Sequence, residues 1–356
     1  MAARSRLAAR IRVYLIRRQD HYRTGRPFQR GARGYRIRHH DGEERSRYAT
    51  GLPQYQRRER DQGGSEGFMD IECRDVSFRY DVPGGDWALR NIDLKISQGE
   101  KLAVVGPAGS GKTTLIQLLD SLILPTTGDI LYDGRSVKTL AKAKNLHGIR
   151  RRIGVLFQFP EHQFFQEMAY DELVFTMRNF LKPDEETIEI RACELMDGFN
   201  MDIDVLKTTS PFSLSSGEKR KLALASALMI SPEVLILDEP TAGMDTSGRN
   251  ELMRIISTLH DTTVILITHN LDDFLDHLDR VIGLSEGRIV CDVHRDAMIE
   301  HISDMENAGI VPPLVLRVQH WLRKEGIRFE KPVYSMDTLI VCLKALQEKK
   351  KEMPAR

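Results

Sequence analysis

The sequence is short of cysteine, has no long apolar run and contains no lysine before Lys95. Its four cysteines, Cys73, Cys193, Cys291 and Cys342, are 120, 98 and 51 residues apart. None of those intervals is a metal-ligand or C-x-x-C spacing, so a zinc knuckle and a redox pair are excluded and reduced thiols are expected. The longest nearly apolar stretch, Leu222 to Ile230, falls far short of the ~20 residues that a spanning helix requires. Any link to a membrane is therefore expected to run through a partner. Hydrophobic residues make up 41% and charged residues 29%, the balance of a chain that builds an ordinary packed core.

The missing lysines mark a change of composition. Residues 1–68 hold 17 Arg against seven acids, whereas the whole chain carries only +1, so everything after residue 68 is net acidic. A segment this rich in arginine and this poor in apolar periodicity buries too little to offset its ordering entropy, and disorder is expected over 1–68. Three readings of it stand: a tether for phosphate-bearing partners, an organellar transit segment, or sequence upstream of a true start at Met69.

From Met69 the pattern alternates between strands and helices. Ile71–Phe78 has period two, Pro83-Gly84-Gly85-Asp86 is a turn, and Trp87–Ile96 reads as the returning strand. Lys101–Val105, Val234–Asp238 and Thr263–Ile267 are short apolar runs of the kind buried in parallel sheets. Helices are expected from Lys112 to about Ser121 and through residues 163–230, including Ser216–Met229. This order predicts an α/β fold with a parallel core (69–298), a helical lobe inserted at about 160–230, and a small C-terminal domain at 299–356.

Gly106-Pro107-Ala108-Gly109-Ser110-Gly111-Lys112-Thr113 matches G-x-x-x-x-G-K-[ST] at every fixed position, between a buried strand and a helix. Its glycines let consecutive N–H groups face a phosphate, the helix start adds partial positive charge, and Lys112 supplies a full one. Thr113 offers a hydroxyl to a Mg²⁺ that bridges phosphates, and Thr114 after it is a further candidate for binding the nucleotide. Asp238 and Glu239 close an apolar strand. Strand ends line the ligand crevice of a parallel sheet, so Asp238 is expected beside the Mg²⁺ and Glu239 beside the attacking water.

Further along, Leu214-Ser215-Ser216-Gly217-Glu218-Lys219-Arg220 resembles the ABC signature, usually LSGGQ, with Ser216 in place of glycine and Glu218 in place of glutamine. The same residues also read as a capping box. Other ABC motifs stand in order: Gln158 resembles the Q-loop glutamine, Ala242-Gly243-Met244-Asp245 the D-loop, His269 the switch histidine, and Tyr80 the aromatic that stacks on adenine. Within that family, Phe157–Phe165 with Asp171–Phe175, and near the end Asn307–Pro313, resemble the ATPases of energy-coupling factor (ECF) transporters, specifically the second of their two paired subunits.

The resemblance implies a P-loop ABC nucleotide-binding domain: a RecA-like core, an antiparallel β subdomain and an inserted helical subdomain. It also implies ATP and Mg²⁺ as ligands. Lys112, Gln158, Glu239 and His269 would be the catalytic set, Thr113, Gln158 and Asp238 the metal set, and Ser215 and Gly217 the contacts to a partner's nucleotide. The implied partners are a second ATPase subunit (a copy or a paralogue), an ECF-type transmembrane subunit and a substrate-binding membrane subunit. Together they would place the chain on the cytoplasmic face of a membrane, importing a vitamin or a metal ion. Phe164, Phe165 and Met168 are candidates for the membrane subunit's docking groove, or else core of the helical lobe. The alternative function is an ABC ATPase acting on nucleic acid or ribosomes. The Arg-rich segment 1–68 is the one feature that favours it, whereas the sustained heptads or second cassette of such ATPases are missing.

Overall fold

The computed structural model describes residues 69–81, 85–327, 329 and 332–352, with side chains described to residue 345. The expectations for 1–68, and for the start of the turn at 83–84, lie outside the described residues.

Two sheets organise the fold. The first holds β1 (Ile71–Arg79), β2 (Trp87–Ile96), β4 (Thr127–Tyr132) and β5 (Arg135–Ser136) in the order β2-β1-β4-β5, every neighbouring pair antiparallel. The second holds β3 (Lys101–Val105), β6 (Ile153–Leu156), β7 (Val234–Asp238), β8 (Thr263–Ile267), β9 (Arg280–Ser285) and β10 (Arg288–His294) in the order β10-β9-β3-β8-β7-β6. It is parallel throughout except for β10, which turns back on β9.

The parallel strands are apolar on both faces because both faces are covered. Leu102, Val104, Val234, Ile236, Ile265 and Ile267 point into a core shared with the antiparallel sheet and helix α1 (Lys112–Leu119). Their neighbours Ala103, Val105, Leu235, Leu237, Val264 and Leu266 point into a second core on the opposite side. That second core takes in the helical lobe, α4 (Ala169–Phe180), α5 (Glu185–Gly198), α6 (Ile203–Thr208) and α7 (Ser216–Leu228), together with α8 (Thr246–Thr258). Short helices α2 (Val137–Lys142) and α3 (Leu146–Arg150) lead from β5 to β6.

Helix α1 ends two residues before the expected Ser121, because Ser121 takes a left-handed φ of 54° and breaks the helical path. After β10 come α9 (Ile302–Asn307), α10 (Leu314–Lys324) and α11 (Met336–Glu352). Met305, Ile310, Leu316, Leu322 and Leu339 from this region are buried in the second core. All four cysteines are free thiols.

Candidate active site

Strand register brings the phosphate loop and the predicted Gln158, Asp238, Glu239 and His269 to one end of the parallel sheet. Val104 pairs with Ile267, Asp238 with Ile267, and Leu156 with Leu237, so the chain leaves β3, β8, β7 and β6 side by side. The phosphate loop, His269, Glu239 and Gln158 begin at those exits.

The loop is shaped by close approach of backbone. Gly106 has φ 154°, and a Cβ there would lie 2.0 Å from the Leu284 carbonyl oxygen. Gly111 has φ 104°, with Ala88 O only 2.6 Å from where a Cβ would sit; it caps α1, leaving the first helical N–H groups open at the loop. Lys112 Nζ donates to Gly106 O at 2.7 Å and Pro107 O at 2.9 Å. Burial holds its pKa below the usual lysine value, opposed by the carboxylates of Glu239 and Asp238. Ser110 is 2% exposed and its Oγ has no hydrogen-bond partner, an arrangement that favours an incoming acceptor. Thr113 is exposed in the first turn of α1. The Thr114 hydroxyl is instead turned to the Tyr80 hydroxyl at 3.0 Å, and Tyr80 donates to Gln117 Oε1 at 3.3 Å. Tyr80 thus stands beside α1 with its ring edge-on to Phe78, centroids 5.0 Å apart.

Asp238 is half-buried, and burial together with the neighbouring Glu239 charge raises its pKa to about 6, against the pull of Lys112. Glu239 has a left-handed φ of 49°, a strained conformation for a side chain of this size. Glu239 N donates to Ile267 O at 2.8 Å, and Arg220 Nη1 donates to Glu239 O at 3.1 Å. These bonds fix the carboxylate so that Oε2 lies 2.8 Å from His269 Nδ1. Glu239 is 12% exposed at the side chain and His269 75%, so the histidine covers the carboxylate from the solvent side.

Sequence reasoning passed over Arg220. It donates to Glu239 O, to Pro240 O at 2.7 Å and to Gln158 O at 2.9 Å, tying α7 to two of the strand exits. The signal was legible: Arg220 shares a helical face with Ala223 and Leu224, and an arginine on a buried face must find acceptors. Gln158 itself is exposed at its side chain.

Ser215 and Gly217 lie elsewhere. They start α7 and line a cavity of about 310 Å³ with Gly243, Met244 and Asp245, to which no phosphate-loop residue contributes. Phe164 and Phe165 line a second cavity, of about 150 Å³, between β6 and the helical lobe. Phe164 is 8% exposed, whereas Met168 is exposed at the start of α4 and is not among the lining residues.

Among the described residues no three His, Cys, Asp or Glu side chains cluster as a metal site. One carboxylate and one hydroxyl near a phosphate loop are what Mg²⁺ takes when nucleotide oxygens and water complete its shell, so the residues present fit a cation carried in with its nucleotide.

The comparisons with known proteins agree with this geometry. A family model described as "ABC transporter" matches residues 89–242. The chain is 42% identical over 236 residues to the energy-coupling factor transporter ATP-binding protein EcfA2 of Thermotoga maritima, covering 65% of this chain and 85% of that protein. Among solved structures it is similar to cbiO1 from Clostridium perfringens, described as part of the ABC transporter complex cbiONQ, with TM-score 0.58, 28% identity, 71% of this chain and 98% of that one. It is also similar to the ATP-binding cassette MJ0796, a dimer in a post-hydrolysis state bound to ADP and Pi, with TM-score 0.58, 25% identity, 63% of this chain and 98% of that one.

Proposed function

The chain belongs to the energy-coupling factor transporter ATP-binding proteins of the ABC family, and from that premise we propose how its residues divide the work of an ATPase subunit that drives an importer. Family membership sets aside the nucleic-acid and ribosome reading. The N–H groups of the Gly106–Thr113 loop and Lys112 grip the phosphates, with Ser110 Oγ as a further donor. Tyr80 stacks on the adenine. Thr113, Asp238 and Gln158 would hold Mg²⁺, which on binding neutralises phosphate charge. Glu239 orients the attacking water and takes its proton. His269 holds that carboxylate and reaches toward the γ-phosphate.

Ser215 and Gly217, in a cavity apart from this chain's own loop, serve the nucleotide of a second ATPase subunit. Two nucleotides then bridge two positively polarised helix starts, and hydrolysis removes the bridge. Phe164 and Phe165 form part of the groove in which a transmembrane subunit docks on the cytoplasmic face. A separate membrane subunit selects the cargo, a vitamin or a metal ion. No described helix is long and apolar enough to cross a membrane.

The observation that carries the reading is the 2.8 Å contact between Glu239 and His269 at adjacent strand exits beside a complete phosphate loop. Glu239→Gln should lower hydrolysis by about 10²- to 10⁴-fold while ATP still binds and holds the paired subunits closed. Lys112→Ala should lose nucleotide binding and closure together. Steady-state hydrolysis and nucleotide-dependent pairing measure both. Normal turnover by Glu239→Gln would defeat the assignment.

A further inference from the structure

Two consecutive carboxylates follow the switch histidine, and the fold sends them in different directions. Asp273 Oδ1 lies 3.5 Å from Arg249 Nη1, and Arg249 Nε donates to Met244 O at 3.2 Å. Asp272 Oδ1 accepts from Leu314 N at 2.8 Å, across 42 residues of sequence, at the first residue of α10. The stretch between His269 and Asp272 has little freedom. Asn270 N donates to Thr268 Oγ1 at 3.0 Å, Asp272 N donates to Asn270 Oδ1 at 3.2 Å, and Leu271 is 2% exposed. A displacement at Asp272 is therefore passed to His269 rather than absorbed.

The segment leading into α10 also lies on the same side of the molecule as the phosphate loop. Ile310 is 4% exposed and packs on β9, its Cδ1 2.5 Å from where a Gly283 Cβ would sit. Gly309 approaches Pro107 of the phosphate loop, whose Cγ would be 4.0 Å from a Cβ at 309. One short stretch of the C-terminal region thus adjoins the phosphate loop at one end and the switch loop at the other.

We infer that Asp272 is a positioning residue for hydrolysis. By accepting from the Leu314 N–H it holds the switch loop where His269 meets Glu239, so the C-terminal region takes part in the reaction without supplying a reacting group. The inference rests on the roles given above to Glu239 and His269.

The test uses the full chain in the assembly in which the unaltered protein hydrolyses ATP. Asp272→Ala should lower kcat by about threefold to tenfold, with KM for ATP changed less than about twofold. Asp272→Asn keeps an acceptor oxygen and should retain most of kcat. Leu314→Pro deletes the donor at the first helical position, where proline is well accommodated. The residue before it already has φ −52° and ψ 137°, as a residue preceding proline must. It should reproduce the Asp272→Ala loss, and the double variant should be no slower than either single one. Unchanged kcat in Asp272→Ala beside a slow His269→Ala, an equal loss in Asp272→Asn, or additive losses in the double variant would overturn the coupling alone. Normal hydrolysis by His269→Ala would overturn the histidine's role and the coupling with it.

Discussion

Ser215 and Glu218 hold each other in a reciprocal pair whose charge bears on how the signature helix meets a phosphate. Ser215 Oγ and Ser215 N donate to Glu218 Oε2 at 2.7 and 2.8 Å, and Glu218 N donates back to Ser215 Oγ at 3.3 Å. The serine hydroxyl and amide proposed for a partner's phosphate are thus both engaged by a carboxylate, and these bonds hold the Glu218 pKa below its usual range. A capping box accepts glutamine as readily as glutamate, so Glu218→Gln isolates charge from structure. It should leave the start of α7 intact and, in a Glu239→Gln background, tighten ATP-dependent pairing by about twofold to tenfold at low ionic strength, the gain shrinking as salt screens it. Sedimentation equilibrium against salt reads the effect; no gain at low salt would mean that the carboxylate swings clear at no cost. Both the capping box and the signature were legible from Ser-x-x-Glu and its neighbours. The left-handed backbone of Glu239 was not, because a strained non-glycine residue is held by its surroundings, here Ile267 O and Arg220, and not by its own preference.

Among elements, the strands legible in the sequence are those with a signature of their own: the alternation of β1, the return of β2 after the Pro-Gly-Gly turn, and the apolar runs of β3, β7 and β8. Those passed over lack one. β6 is four residues long and follows Arg150-Arg151-Arg152, too short for a period to register. The β9–β10 hairpin turns on Glu286 and Gly287, both at positive φ (47° and 74°), the two-residue geometry that Asn-Gly would have announced and Glu-Gly does not. The entrance to α4 is built on Glu172, 6% exposed, whose Oε2 accepts from Phe165 N and Gln166 N, both at 2.9 Å. Burial raises its pKa, opposed by those two amides. The folded protein then holds the Glu172 proton more tightly than the unfolded chain does, so the buried carboxyl costs stability where it is ionised and stops doing so as pH falls into the ordinary carboxylate range. Glu172→Gln keeps an acceptor for both amides and removes the ionisation. It should be more stable than the parent by up to about 1 kcal/mol near pH 8, with the difference gone below about pH 4. Thermal unfolding across pH measures it, and a destabilisation that grows toward pH 8 would show that the amide bonds outweigh burial.

At the scale of the molecule, the C-terminal region is fastened to the parallel core. Met298, Met305, Ile310, Leu316, Leu322 and Leu339 belong to the same buried cluster as Leu235, Leu237 and Val264. Gln319, 1% exposed on α10, locks the stretch before α11: its Oε1 accepts from Val333 N at 2.9 Å, and its Nε2 donates to Val315 O and Val333 O. A nonpolar replacement of similar size would leave the Val333 N–H and C=O seeking partners in a largely buried setting, which costs on the order of 2 kcal/mol. Gln319→Leu should therefore lower the main thermal transition of the whole chain by a few degrees, as about 2 kcal/mol does in a chain of this size. It should also expose α11 to proteolysis first, because local opening precedes global unfolding where few contacts hold a segment. ATP binding, which draws on strand exits and α1, should persist at temperatures below that transition. Calorimetry distinguishes the two architectures. If the C-terminal region were an independent domain, Gln319→Leu would produce a separate low-temperature step and leave the main transition unmoved. If it is part of the core that positions the switch loop, the main transition itself moves.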